Sequence, residues 1–359
     1  MTDRTKQFAK LLIRILITTG LLILVFSQID LEQLRQNIKT ARWHLLIAVW
    51  VLTIIFLWIR SMKMQLILKK QDCKVNITTI FGASAVTALY SMILPGVLST
   101  GAKWYILKKD SGKGSNVLSS MLYNQLLTMV VMMVFGLAAL MITNPASLSM
   151  SNAENQWLLP AICGILLAAI IVISSLLLNS GTGGKIIEGI GFMLRPLPAK
   201  ISQEGREILD QIATFQAAGA GFHLKIASIT IIDTLIAGVI AYVLAARAAN
   251  ITAPVGVFVW LCVVIYVLGR VPISVANLGV REFTLVGLLG IYGVDKSQAL
   301  LMSMILFSAL AVMAIIGAVY QIFWAGGKRE KVGPAARQIC PIKNNSGISH
   351  LNGGENTEI

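Results

Sequence analysis

Sixteen acidic residues, four cysteines and three histidines are all that this 359-residue chain sets beside 30 lysines and arginines. Cys73, Cys163, Cys262 and Cys340 stand singly in the sequence. That scatter excludes a disulfide framework and a Cys/His zinc site, both of which need clustered ligands. Charge of either sign is scarce as well: 13% of residues, against about 25% in a water-soluble chain. Also missing are a phosphate-cradling P-loop, a metal-ligand cluster and a Gly-x-Ser-x-Gly elbow. The longest segment between apolar stretches, 179–223, is too short to house a catalytic domain. An enzyme, a resident cofactor and a bound metal are therefore not expected.

Apolar residues fill the space that charge leaves. They make up 56% of the chain, which carries a net charge of +14 and a mean hydropathy of +0.77. The fold class that follows is an all-α integral membrane protein. In a chain this apolar, the basic excess marks loops that face an anionic inner leaflet, not a nucleic-acid surface.

Stretches near 20 apolar residues are expected to cross a membrane. They fall at about 11–26, 44–59, 77–94, 117–142, 158–178, 224–245, 255–269 and 298–324, with a weaker piece at 282–292. The first lacks an Ala-x-Ala-like cleavage site and reads as a retained span. Basic residues at the N-terminus, in 60–76, in 99–116, in 179–223 and in the tail put those segments, and both termini, in the cytoplasm of an inner-membrane protein. Segment 143–157 has no basic residue. A plain crossing at 77–94 would split two basic loops between opposite faces. Folding 77–116 back as a re-entrant hairpin avoids this, and 255–292 then faces the same choice from outside. Six crossings with two re-entrant hairpins satisfy the charge pattern; eight plain crossings are the alternative. The domain reading is a membrane region over 1–326, with halves at about 10–142 and 158–325, and a polar cytoplasmic tail over 327–359 that lacks the composition to fold.

The two awkward segments share a pattern. Pro95-Gly96 is followed by Gly101-Ala102-Lys103, and Pro272 by Gly279-Val280-Arg281. Proline breaks a helix, and irregular backbone at membrane depth persists only where protein or a wet cavity surrounds it. A matched pair of Pro/Gly breaks in two halves points to a transporter's binding site; two unrelated kinks are the plainer alternative. The breaks at Pro95, Gly96 and Gly101 and at Pro272 and Gly279 would each place a half-helix N-terminus and a cation beside a ligand.

Ionisable residues inside apolar segments cost about 2.5–3.5 kcal/mol each when isolated, so they should be paired or face water. Asp233 lies mid-span, with Arg270 or Arg281 as its expected partner, and Glu282 follows Arg281. An arginine or lysine there suits a lipid phosphate. The competing reading is a buried ion pair that locks helices together without a ligand. Asn124 and Gln125 read as interhelical hydrogen-bonding groups, Trp43 and His44 as interfacial anchors, and His223 as the entrance of a helix. Arg14 is expected to snorkel toward its basic flank, and 200–217 reads as an amphipathic helix on the membrane surface.

The Leu94-Pro95-Gly96 and Gly101-x-Lys103 pair, and above all Arg270-Val-Pro272 through Gly279-Val-Arg281-Glu282, resembles the motifs of the lysylphosphatidylglycerol synthase transmembrane-region family, the flippase-like domain proteins. Arg60 matches a basic position in that family's early pattern. Ala276-Asn277-Leu278 replaces its Gly-rich stretch, and the first motif lacks the usual second glycine and acidic residue. The resemblance implies a lipid flippase-like membrane region without the soluble aminoacyl-transferase domain of the fused members. The function expected is translocation of a lipid or lipid-linked intermediate, with Arg60, Lys103, Asp233, Arg270, Arg281 and Glu282 around an anionic headgroup. The partner would be a membrane phospholipid or a polyprenyl-phosphate-linked lipid, with a second copy of the chain or a biosynthetic enzyme as protein partner. The alternative is a scaffold or accessory subunit for such an enzyme that transports nothing.

Overall fold

The computed structural model describes residues 31–92, 96–145, 157–178, 218–270 and 277–330, with isolated residues 19, 20, 23, 27, 215 and 274. The expected first span at 11–26, the surface helix at 200–217, Pro95, Pro272, Arg14 and the tail beyond residue 330 lie outside the described residues, save for the isolated positions just given. Every regular element among the described residues is a helix: α1 Leu31–Thr40, α2 Trp43–Lys70, α3 Ile77–Ser91, α4 Gly96–Ser111, α5 Gly114–Thr143, α6 Leu158–Leu178, α7 Ala220–Ala248, α8 Val255–Leu268, α9 Val280–Gly290 and α10 Lys296–Glu330. The protein is an all-α membrane protein. Five helices are long and apolar enough to cross a bilayer: α2, α5, α6, α7 and α10. The chain divides into two units, Met1–Tyr320 and Gln321–Ile359, and the second contributes only the last turns of α10 to the described residues.

Membrane physics explains why Ile- and Val-rich runs are helical here. In hydrocarbon the backbone must satisfy its own hydrogen bonds, and only a helix does so within one segment. The longest helices carry no internal proline. Shorter ones end at specific signals. The α3 helix stops at Ser91, where the Met92 N–H closes its last turn on the Leu89 carbonyl. Its 15 residues reach about 22 Å at 1.5 Å per residue, short of a hydrocarbon core of about 30 Å. α3 packs along α4 as a helical hairpin.

The helix α2 is longer than its apolar stretch suggests. Hydropathy alone ends the span near residue 59, leaving Arg60 and Lys63 in a loop. Instead the helix continues to Lys70, because Met64, Ile67 and Leu68 turn one apolar stripe into the protein. On the opposite side Ile47, Val51, Ile55, Trp58 and Met62 form an exposed stripe at helical spacing, the face a lipid would wet. Helices α2 and α7 run antiparallel: Arg42 N–H donates to the Ala248 carbonyl at one end, and Lys63 meets Thr230 toward the other.

Small residues let these helices approach closely, as membrane helices require. A Cβ on Gly317 of α10 would lie 2.2 Å from the Ala85 carbonyl oxygen of α3. Gly136 of α5 meets Val263 of α8, and Gly238 of α7 meets Cys262. The main core joins α7, α8, α9 and α10 through Leu235, Trp260, Leu261, Leu285, Leu289 and Leu300. Polar bonds fix the register: Trp50 Nε1 donates to Ser308 Oγ at 2.8 Å, tying α2 to α10. Gln125 of α5 donates to Tyr266 Oη of α8 at 3.4 Å, the interhelical role expected of it.

Candidate functional site

The middle of α7 departs from α-helical geometry. Residues Ile231–Ile236 form a π-helical segment with Asp233, fully buried, inside it. Widened turns of this kind recur at functional sites and leave backbone groups open to other partners. Here Arg60 Nη2 donates to the Asp233 carbonyl at 3.1 Å.

Asp233 does not pair with Arg270 or Arg281, as the sequence suggests. Its carboxylate sits between two cations of α2. Lys63 Nζ donates to Asp233 Oδ1 at 3.1 Å and lies 3.0 Å from Oδ2. It also donates to Thr230 Oγ1 at 3.2 Å. Arg60 Nε stands 3.5 Å from Oδ2, and Thr234 Oγ1 donates to Oδ1 at 2.9 Å. Oδ2 thus receives two ion-pair contacts but no well-angled hydrogen bond. The reason for the changed partners is topological: antiparallel packing of α2 on α7 sets 60–63 beside 230–233, whereas Arg270 and Arg281 flank the second break.

The two α2 cations differ in exposure. Lys63 is 1% exposed at its side chain and is committed to Asp233 and Thr230. Arg60 is 44% exposed and keeps a free face. Lys103 of α4, half-buried, lies within electrostatic range of Arg60, Lys63 and Asp233 but makes no ion pair with Asp233. Lys103 has no hydrogen bond or ion pair among the described residues. On α5, which packs against both α2 and the π segment, Ser120 Oγ and Asn124 Oδ1 are buried without a partner among the described residues. Two cations of α2 therefore contact one carboxylate, and Lys103 is a third charge within electrostatic range of it.

The second break is built differently. Asn277 and Gly279 both take positive φ, at 61° and 82°. For Gly279 this costs nothing, since it has no Cβ. It caps α9, and its N–H donates to Glu282 Oε2 at 2.6 Å. Arg281 turns inward, pairs with Glu282, donates to Ser303 Oγ of α10 at 2.9 Å, and lies over Phe307. Ser303 in turn donates to Glu282 at 2.8 Å. Arg270 folds onto Tyr266, donating to its hydroxyl at 2.7 Å with the guanidinium 4.5 Å from the ring centre.

The structure therefore joins Arg60 to Asp233, leaves Lys103 within electrostatic range of both, and gives Arg270, Arg281 and Glu282 other partners. The two motifs are also unequal locally. Gly101 is an ordinary residue inside α4, with nothing near its missing Cβ, and Lys103 lies well along that helix; Arg281 is in the first turn of α9. Lys63 is the residue that reading the sequence missed. Its signal was present in the helical spacing of Arg60, Lys63 and Ile67, which continues the buried stripe past the hydropathy boundary. His223 enters α7 as expected, and its Nδ1 lies 2.7 Å from Tyr123 Oη. Trp43 and His44 are exposed at the start of α2.

A family model described as the lysylphosphatidylglycerol synthase TM region matches residues 11–318. Comparison with curated proteins and with solved structures returns no match.

Proposed function

This chain belongs to the lysylphosphatidylglycerol synthase transmembrane-region family, and we propose that it translocates a lipid or lipid-linked intermediate by holding an anionic phosphate headgroup among α2, α4 and α7. The observation that carries this reading is the surplus of positive charge at the π-helical segment: among the described residues, Arg60 and Lys63 contact Asp233 and Lys103 lies within electrostatic range of it. A helix lock needs one cation for one carboxylate, and Lys63 already fills that role. Partial burial of an extra cation has a desolvation cost that favours a compensating anion. Arg60, partly exposed, offers a planar fork suited to a phosphate's oxygens.

In this reading α3 and α4 form the first re-entrant hairpin, consistent with the short reach of α3. Basic residues beyond it, such as Lys69, Lys70, Lys108 and Lys109, lie at the cytoplasmic face of an inner membrane. Arg281 and Glu282 brace the second break and leave headgroup contact to Arg60 and Lys103. The chain carries out no covalent chemistry on the lipid.

Reconstitution tests this. Purified protein in vesicles with a fluorescent phospholipid or polyprenyl phosphate in one leaflet should equilibrate the label between leaflets faster than empty vesicles. Failure with every anionic lipid tried defeats translocation. Lipid binding without movement would instead favour the scaffold role.

A further inference from the structure

The C-terminal end of α7, the turn after it and the start of α8 line a groove of about 430 Å³, within the roughly 300–1,000 Å³ of ordinary ligand sites. Its walls include Val243, Ala246, Ile251, Val255 and Phe258, and Arg247 is the one charged residue among its lining. Three observations say what fits there. Ile232, Ile236 and Ile240 form an exposed aliphatic stripe on α7, and helical spacing carries that stripe on through Val243 to Arg247. The groove is therefore reached from lipid. Arg247 is exposed, and its guanidinium has neither hydrogen bond nor ion pair among the described residues; no acidic residue lies between Asp233 and Glu282 in the sequence. At the same end the Arg42 N–H donates to the Ala248 carbonyl at 3.2 Å, next to the exposed Trp43. Tryptophan beside basic residues marks the headgroup level of a bilayer.

We infer that this groove binds an anionic phospholipid of the bilayer, at a site separate from the one proposed at Arg60. One acyl chain lies along the apolar walls and the phosphate meets Arg247. Apolar walls alone would accept any lipid; a guanidinium without a carboxylate adds a preference for net negative charge. A zwitterionic headgroup supplies its own ammonium, which compensates its phosphate and weakens the contact. The dipole of α7 also favours a cation at its C-terminus, but that requires no apolar groove beside it. Asp233 and Arg247 lie about 20 Å apart along α7 at 1.5 Å per residue. A headgroup at one is out of reach of the other, so the inference stands independently of the translocase reading.

Photolabelling of the full-length protein in a non-ionic detergent tests this. The probe is phosphatidylglycerol with a diazirine on one acyl chain, and mass spectrometry of the digested protein locates the label. Label should fall within residues 243–258. Unlabelled phosphatidylglycerol should displace it at about fivefold lower concentration than phosphatidylcholine, the effect of one interfacial basic contact. Arg247→Gln should level the two lipids, and Arg247→Lys should keep most of the preference. Val255→Trp, which puts a bulky ring at an exposed lining position, should cut the label severalfold. Both positions are exposed, so these variants should melt near the wild type. Arg60→Gln should leave the label unchanged. Equal displacement by the two lipids, indifferent to Arg247→Gln, would reduce the groove to part of the lipid annulus and overturn the assignment. No label within 243–258, or label that persists in Val255→Trp, would put something other than a lipid chain in the groove and overturn it as well. Loss of label in Arg60→Gln would merge the two sites and overturn their separation.

Discussion

Lys63 and Asp233, separated by 170 residues, meet where α2 crosses the π-helical turn of α7, and the ammonium contacts both carboxylate oxygens at 3.1 and 3.0 Å. Neither side chain has access to water, so each depends on the other for compensation. Arg60 reaches the same carboxylate from the exposed side.

Removing one partner of such a pair strands the other. Asp233→Asn should destabilise the protein by about 3–5 kcal/mol, the cost of an uncompensated buried charge. Adding Lys63→Met should recover most of that loss, because two apolar or neutral groups need no counter-ion. Thermal melting of the single and double variants in one detergent checks this. A double variant no more stable than Asp233→Asn alone would show that the pair is not a closed unit.

Arg281 behaves oppositely to Arg60. Its guanidinium is bound to Glu282 and Ser303 within the α9–α10 contact. Arg281→Ala should therefore lower the melting temperature markedly, while protein that remains folded keeps its affinity for phosphatidic acid. An intact melting temperature with lost lipid affinity would return Arg281 to the headgroup site.

Much of this architecture is visible in the sequence, and the failures are instructive. The helices follow from hydropathy, and the cost of Asp233 in hydrocarbon marks it as a residue that needs partners. Which partners it has depends on antiparallel register between α2 and α7, set by packing over the length of both helices, and no local pattern encodes that. Lys63 was hidden because a charge-rich helix end looks like a loop when only hydropathy is read; the buried stripe of Met64, Ile67 and Leu68 is the feature that distinguishes them. Likewise Gly279-Val-Arg281-Glu282 is conspicuous as a motif, yet its meaning rests on Ser303, 22 residues beyond Arg281.

Close helix packing gives a steric prediction. Alanine is a better helix former than glycine by about 1 kcal/mol, but at Gly317 the new methyl would stand 2.2 Å from a backbone oxygen of α3. Backbone cannot rotate away as a side chain can, so overpacking by about 1–3 kcal/mol or more should win. Gly317→Ala should melt lower than wild type, whereas Gly101→Ala, with open space around it, should not. Comparable melting of the two variants would contradict the α3–α10 approach.

At the start of α10, outside the span, Asp295 accepts hydrogen bonds from the Ser297 side chain and main-chain N–H, and Asn37 of α1 donates to Ser297 Oγ at 2.7 Å. The Ser297 hydroxyl is the main cause holding the Asp295 carboxyl below its ordinary range. A depressed folded-state value means the stabilisation is present above the unfolded carboxylate range and is lost as pH falls through the folded value. Ser297→Ala should accordingly move acid-induced loosening of α1 to higher pH, followed by hydrogen exchange of Leu34 and its neighbours. No shift in that transition would remove Asp295 as its cause.

The site's role in transport is most directly tested by the paired variant Arg60→Gln with Lys103→Gln in vesicles, compared with wild type at matched melting temperature. The account predicts that transbilayer movement of a labelled phosphatidic acid falls to the rate of empty vesicles while the Lys63–Asp233 pair keeps the fold intact. Movement at the wild-type rate in a properly folded double variant would contradict it.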